Sequence, residues 1–245
     1  MVIFANFRDK LRRYLALEEE ELRDFLVTVM VLSLIAGFND KSESFNALHW
    51  TMNYLLTLFF VMVASLVHVY TQRILAIRKG YKPEFYLNWY SLGIGLILSF
   101  LTFGKAWFFL VPGIFMMKEM EFHRIGNYKY GLNISDFGWI SVSGCIANIM
   151  LAVVFKALMI FYPASTALLI GMKICVAMAI VNLIPLPPMD GAKMFFYSRA
   201  WYFFVTGFIL MMSILLFSSI NIIPAVIFSL LIGIVLMLWA YIELN

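Results

Sequence analysis

The stretch Asn182-Leu-Ile-Pro-Leu-Pro-Pro-Met-Asp-Gly191 decides how the chain is read. Pro185, Pro187 and Pro188 fall within four consecutive positions. Each removes a backbone donor and biases the residue before it to extended geometry, so no α-helix continues through them. They close an apolar run from Ala164 to Pro188 that Lys173 interrupts. Irregular backbone at membrane depth is tolerated only where protein or a watery cavity covers it. The stretch therefore predicts an extended segment that lines an internal site and presents Asp190.

Membrane depth follows from the composition. Of 245 residues, 63% are hydrophobic and only 13% charged, with a mean hydropathy of +0.91. Soluble chains run at roughly 45–50% apolar and about 25% charged, so a soluble domain is excluded. Two Cys and 14 Gly, among many aromatics, also exclude a disulfide scaffold and a collagen-like chain. Cys145 and Cys175 lie in apolar runs and read as small buried residues. At about 20 apolar residues per crossing, the length suits roughly six or seven membrane segments in an all-α bundle. The net charge of +4 does not point to nucleic acid, because Lys and Arg sit between the apolar runs and form no stripe.

Residues 1–24 carry both signs of charge and read as an amphipathic N-terminal segment. Ile3, Phe4, Phe7, Leu11, Tyr14 and Leu15 recur at helical spacing, with Arg8, Lys10, Arg12 and Arg13 between them. The membrane domain follows over 25–245. Its apolar runs are Phe25–Phe38, Ala47–Gln72, Phe85–Gly104, Ala106–Met117, Phe137–Phe155, Ala164–Pro188, Ala200–Phe217 and Ile220–Ile242. Phe85–Gly104 and Ala106–Met117 read together as a hairpin or re-entrant pair. Five Lys or Arg precede the first run, and Arg73, Arg78, Lys79 and Lys82 follow the second. The positive-inside rule then places the N-terminus and the Arg73–Lys82 segment in the cytoplasm, with the chain integral to the cell membrane.

Few polar groups lie at depth, and each is a functional candidate because burying it in a bilayer is costly. They are His68, Gln72, Asn148, Asn182 and Asp190. His68 and Gln72 stand at i and i+4 on one helix face. Asp190 closes a later run on the same side, so it and His68 share a depth on different helices.

These residues carry a resemblance. Asn-Leu-Ile-Pro-x-Pro-Pro-x-Asp-Gly resembles the late motif of the site-2 proteases, which are intramembrane zinc metalloproteases. Ser143-Gly-Cys-Ile-Ala-Asn148 is similar to their Gly-Pro-x-x-Asn motif, with Cys145 in the proline's place. The segment from His68 through Arg73, Lys79-Gly-Tyr81 and Glu84-Phe85 is similar to the early region of archaeal-type members, where HExxH begins. The likeness spans roughly Phe59 to Arg199 and implies a protease-like core at about 47–199. It implies a zinc ion held by two histidines and an aspartate, a glutamate base, transmembrane-helix substrates, and asparagines that place them. Asn148 and Asn182 match those asparagines, while His68 and Asp190 match two of the metal ligands.

The motif is degenerate. It reads His68-Val-Tyr-Thr-Gln72, so Val69 stands at the catalytic glutamate and Gln72 at the second histidine. Valine carries no proton, and positioned acid–base catalysis contributes typically about 10²–10⁴-fold. An amide oxygen is a poor zinc ligand beside imidazole. His49 lies about 28 Å from His68 along one helix and cannot substitute; His123, with Glu119 and Glu121, is the other candidate. His68 accordingly reads first as a bridge to Asp190 or Asn182, and only second as a weak metal ligand. The resulting expectation is a non-catalytic homologue that binds transmembrane-helix clients, with zinc absent or weakly held. Two alternatives stay open: an active metalloprotease with an atypical ligand set, and a transporter or channel.

Overall fold

The computed structural model describes residues 2–39, 46–120 and 131–243. Helix α1 (Val2–Tyr14) leads to α2 (Glu19–Gly37) and to the long α3 (Ala47–Lys79). Strand β1 (Tyr81–Tyr86), α4 (Trp89–Leu101) and strand β2 (Ile114–Glu119) come next. Helices α5 (Ile134–Phe161), α6 (Thr166–Asn182), α7 (Asp190–Tyr197), α8 (Arg199–Leu216) and α9 (Ile222–Glu243) complete the described chain.

Local chemistry sets these boundaries. Asn46 caps α3 by accepting from the backbone N–H of Leu48 and His49, which satisfies donors that the first turn leaves unpaired. Asn133 does the same for α5 through Ser135, and Ser165 for α6 through Leu168. Helix α3 stops at Gly80, whose φ of 94° turns the chain directly into β1. Helix α6 stops just before Pro185, as expected of residues that precede proline.

Four described helices are long and apolar enough to cross a membrane: α3, α5, α8 and α9. Six or seven segments were expected from the run lengths. The apolar helices α4 and α6 have only 13 and 17 residues. At 1.5 Å per residue these reach about 20 and 25 Å, against a hydrocarbon core of about 30 Å.

The fold is mostly helical, and the all-α expectation needs correction at one place. The Phe85–Met117 pair is not two apolar helical arms. Its outward arm is α4, and its return arm is a series of turns and irregular chain ending in β2. Strand β2 pairs antiparallel with β1, from Tyr81 opposite Glu119 to Tyr86 opposite Ile114. The excursion therefore does return to its starting point, as a re-entrant pair should. A short apolar run such as Ile114–Met117 has no periodicity that separates strand from helix.

Helix α5 is the hub, packing on α3, α6, α7 and α8, while α9 packs on α8. The core includes Val61, Ala64 and Val69 of α3, Val142, Cys145 and Ile149 of α5, and Cys175 and Met178 of α6. Cys145 and Cys175 are both free and buried, matching their expected packing role. Helix α9 turns Ile223, Val235, Leu238 and Ile242 outward, a surface consistent with contact to lipid.

Candidate functional site

The site is assembled from three elements around one carboxylate. Asp190 begins α7, immediately after the proline-rich stretch, where the helix N-terminus favours a negative charge. The stretch is not the extended segment expected: it runs through turns and bends, with the Met189 N–H donating to the Leu186 carbonyl. It folds tightly back on the end of α6, where a Cβ on Gly191 would lie 2.0 Å from the Leu183 carbonyl oxygen. Only glycine fits there. Tyr202 of α8 donates to the same carbonyl at 3.0 Å.

Helix α3 presents His68 and Gln72 to that carboxylate. His68 Nε2 lies 3.0 Å from Asp190 Oδ2, and Gln72 Nε2 donates to the same oxygen at 2.9 Å. Gln72 also donates to the Ser141 carbonyl at 2.6 Å. Helix α5 supplies Asn148, whose Nδ2 lies 3.3 Å from His68 Nδ1. This arrangement suits a neutral imidazole, with Nε2–H donating to Asp190 and Nδ1 accepting from Asn148. Gly144 permits the close approach of α5, because a Cβ there would sit 2.6 Å from His68 Nε2.

The second carboxylate oxygen is also taken. Lys193 Nζ lies 3.0 Å from Asp190 Oδ1 and donates to the Phe115 carbonyl at 2.7 Å, tying α7 to β2. His68, Gln72, Asn148 and Asp190 are all buried. Nearby on α3 and α5, Ser65 Oγ, Ser141 Oγ and Asn148 Oδ1 have no hydrogen-bond partner among the described residues. Neutral hydroxyl and amide oxygens of this kind are weak zinc ligands.

The structure thus joins His68 to Asp190, one of the two bridges expected for it. Asn182 stays apart, its amide donating to the Met178 carbonyl of its own helix at 2.9 Å. Val69 packs in the apolar core. His49 sits at the far end of α3, and His123 and Glu121 lie outside the described residues. Glu119 belongs to β2, where it accepts from the Gly131 N–H at 2.6 Å.

Two basic residues outside the expected set are part of the same machinery. Lys193 is one; its spacing of three from Asp190 was the available signal, since i and i+3 share a helix face. Arg73 is the other. It is only 2% exposed and pairs with Glu21 at 2.9 Å. It also donates to the carbonyls of Tyr14, Leu15 and Ala16, stapling the α1–α2 linker to α3.

A catalytic zinc site takes three protein ligands drawn from His, Cys and carboxylates, plus water. Here one imidazole and one carboxylate are available, and Gln72 and Lys193 aim N–H donors at that carboxylate. Among the described residues, no three His, Cys, Asp or Glu gather where they could hold a metal ion. The residues present do not fit a catalytic zinc ion.

Beside the cluster, an apolar groove of about 690 Å³ runs between α3 and α5, lined by Val67, Thr71, Trp139, Ser143, Ala147 and Met150 among others.

With this geometry in hand, one relative is informative. A protein of Methanocaldococcus jannaschii named "Putative zinc metalloprotease" is 28% identical over 182 residues, covering 71% of this chain and 83% of its own length. The likeness supports a metalloprotease relationship. No protein-family profile matches the chain, and no solved structure matches it.

Proposed function

We propose that the protein is a non-catalytic site-2 protease homologue that holds transmembrane helices of client proteins. One observation carries the reading: both oxygens of Asp190 are engaged, by His68, Gln72 and Lys193, where a protease would offer them to a metal. Val69, buried in the core, supplies no proton acceptor at the position of the catalytic glutamate. What is kept is the scaffold, with Asn148 and Asp190 in one buried layer beside an open apolar groove. A client helix seated between α3 and α5 would meet Thr71, Lys79 and Ser143 as its polar contacts. In this reading the N-terminus and the polar cluster face the cytoplasm, and Asn148 positions His68 while Asn182 holds the end of α6.

The relative's name favours the competing reading, an active metalloprotease. Reconstitution with single-span reporter proteins separates the two. The expected outcome is no cleavage in the wild type, with a photo-crosslinker at Ala147 capturing intact reporters through their membrane segments. Cleavage that disappears in Asp190→Asn would establish the enzyme instead.

A further inference from the structure

The opposite end of α3 holds a second cavity, of about 760 Å³, within the range of about 300–1,000 Å³ usual for ligand sites. It is bounded by the end of α2, the start of α3, the turn after α4 and the first half of α6. Its walls are of two kinds. Met52, Leu56, Trp107, Ile170 and Ile174 are apolar, whereas Lys105 and Lys173 bring two ammonium groups. No Asp or Glu occurs among the described residues that line it.

The other polar groups of the lining are largely accounted for within the protein. Asn39 donates to the Phe103 carbonyl at 3.0 Å, Asn53 to the Gly37 carbonyl at 3.0 Å, and Thr57 to the Asn53 carbonyl at 2.7 Å. His49 is exposed at the rim and has an interaction of its own. Lys105 and Lys173 differ: neither side chain has a hydrogen-bond or ion-pair partner among the described residues. Lys173 is the more unusual, being half-buried seven residues into an apolar helix, about 10 Å from its start. A cation at such depth is normally paired or faces a polar cavity, because leaving it unpaired in hydrocarbon is costly.

We infer that this cavity binds the headgroup of an anionic phospholipid, with Lys105 and Lys173 on the phosphate and the acyl chains along Met52, Leu56 and Ile170. Charge complementarity argues for an anion, and the apolar wall at membrane depth argues that the anion is carried on a lipid. Basic pockets between membrane helices bind anionic headgroups on the cytoplasmic side of other membrane proteins. This one lies at the opposite end of α3 from the polar cluster, so in the topology proposed above its lipid belongs to the outer leaflet.

The test is native mass spectrometry of the delipidated full chain in neutral detergent, titrated with phosphatidylglycerol or phosphatidylcholine. A second arm adds glycerol phosphate to the phosphatidylglycerol complex. Each ammonium near an anionic lipid is worth about fivefold in affinity, so the pair should give phosphatidylglycerol a preference of about twenty- to thirtyfold. Lys105→Gln with Lys173→Gln should abolish that preference, and exposed Lys105→Gln alone should reduce it without disturbing the fold. Arg12→Gln with Arg13→Gln, which removes as much charge from α1, should leave it in place. The inference is overturned if the Lys105/Lys173 variant keeps the preference, or if the α1 variant alone loses it. Displacement by glycerol phosphate at equal concentration would also overturn it, since the site would then be one for a soluble anion.

Discussion

The two ends of α3 treat their charged side chains in opposite ways. At one end, Asp190, Lys193, Arg73 and Glu21 all find partners within 3.0 Å. At the other, Lys105 and Lys173 line a cavity with no described partner. A paired charge already has its interaction satisfied and holds elements together, whereas one without a partner has an interaction left to give. The end that resembles a protease centre is therefore the closed one. The end with no such resemblance has chemistry to offer a ligand.

Removing a partner from each end should break this contrast or sharpen it. The largest effect is expected from Asp190→Ala, which strands His68, Gln72 and Lys193 in the core. Breaking a buried ion pair costs about 3–5 kcal/mol, measured as a loss of unfolding free energy in detergent. Next is a matched pair of lysine variants. Lys193→Met removes charge-assisted hydrogen bonds worth about 1.5–3 kcal/mol. Lys173→Met should lose no stability in delipidated protein, because no described partner is lost and a cation that is costly at this depth is removed. Equal losses in the two would erase the distinction between the ends.

The smallest effect belongs to the β1–β2 ribbon. Burial pushes the Glu84 carboxyl upward, but hydrogen bonds from Lys118 and Tyr86, with the charge of Lys82, hold it below the usual glutamate range. A carboxyl held low in the folded state stabilises the fold above the ordinary glutamate range, and that contribution fades as pH falls through its lowered value. Glu84→Gln should thus cost slight stability at neutral pH and nothing in strong acid, as read from thermal melts at both pH values.

Much of the site was legible because its constraints are local. Prolines at 185, 187 and 188 cannot continue a helix, so the break that precedes Asp190 follows from the stretch alone. Its path, a run of turns and bends and not an extended segment, does not. The spacing of His68 and Gln72 puts both on one face, and run lengths bring Asp190 to their depth. Lys193 and Arg73 were harder to place, because a basic residue at the end of an apolar run reads equally as a topology signal. What makes them structural is tertiary: the carbonyls of Phe115 and of residues 14–16, and the carboxylate of Glu21, arrive from distant segments. Strand β2 was hidden for a related reason. Its pairing with β1 is a long-range contact, and its six residues are too short to display a period.

The central claim is that a hydrogen-bonded cluster has replaced the metal centre, and metal content tests it most directly. The protein should be purified without chelator, exposed to zinc, and assayed for bound metal alongside His68→Ala, Val69→Glu/Gln72→His, and that double variant with Lys193→Ala. The expected result is little zinc in the wild type and no change in His68→Ala. Zinc should rise in the double variant and rise further once Lys193 no longer holds Asp190. A full equivalent of zinc in the wild type, lost in His68→Ala, would contradict the account.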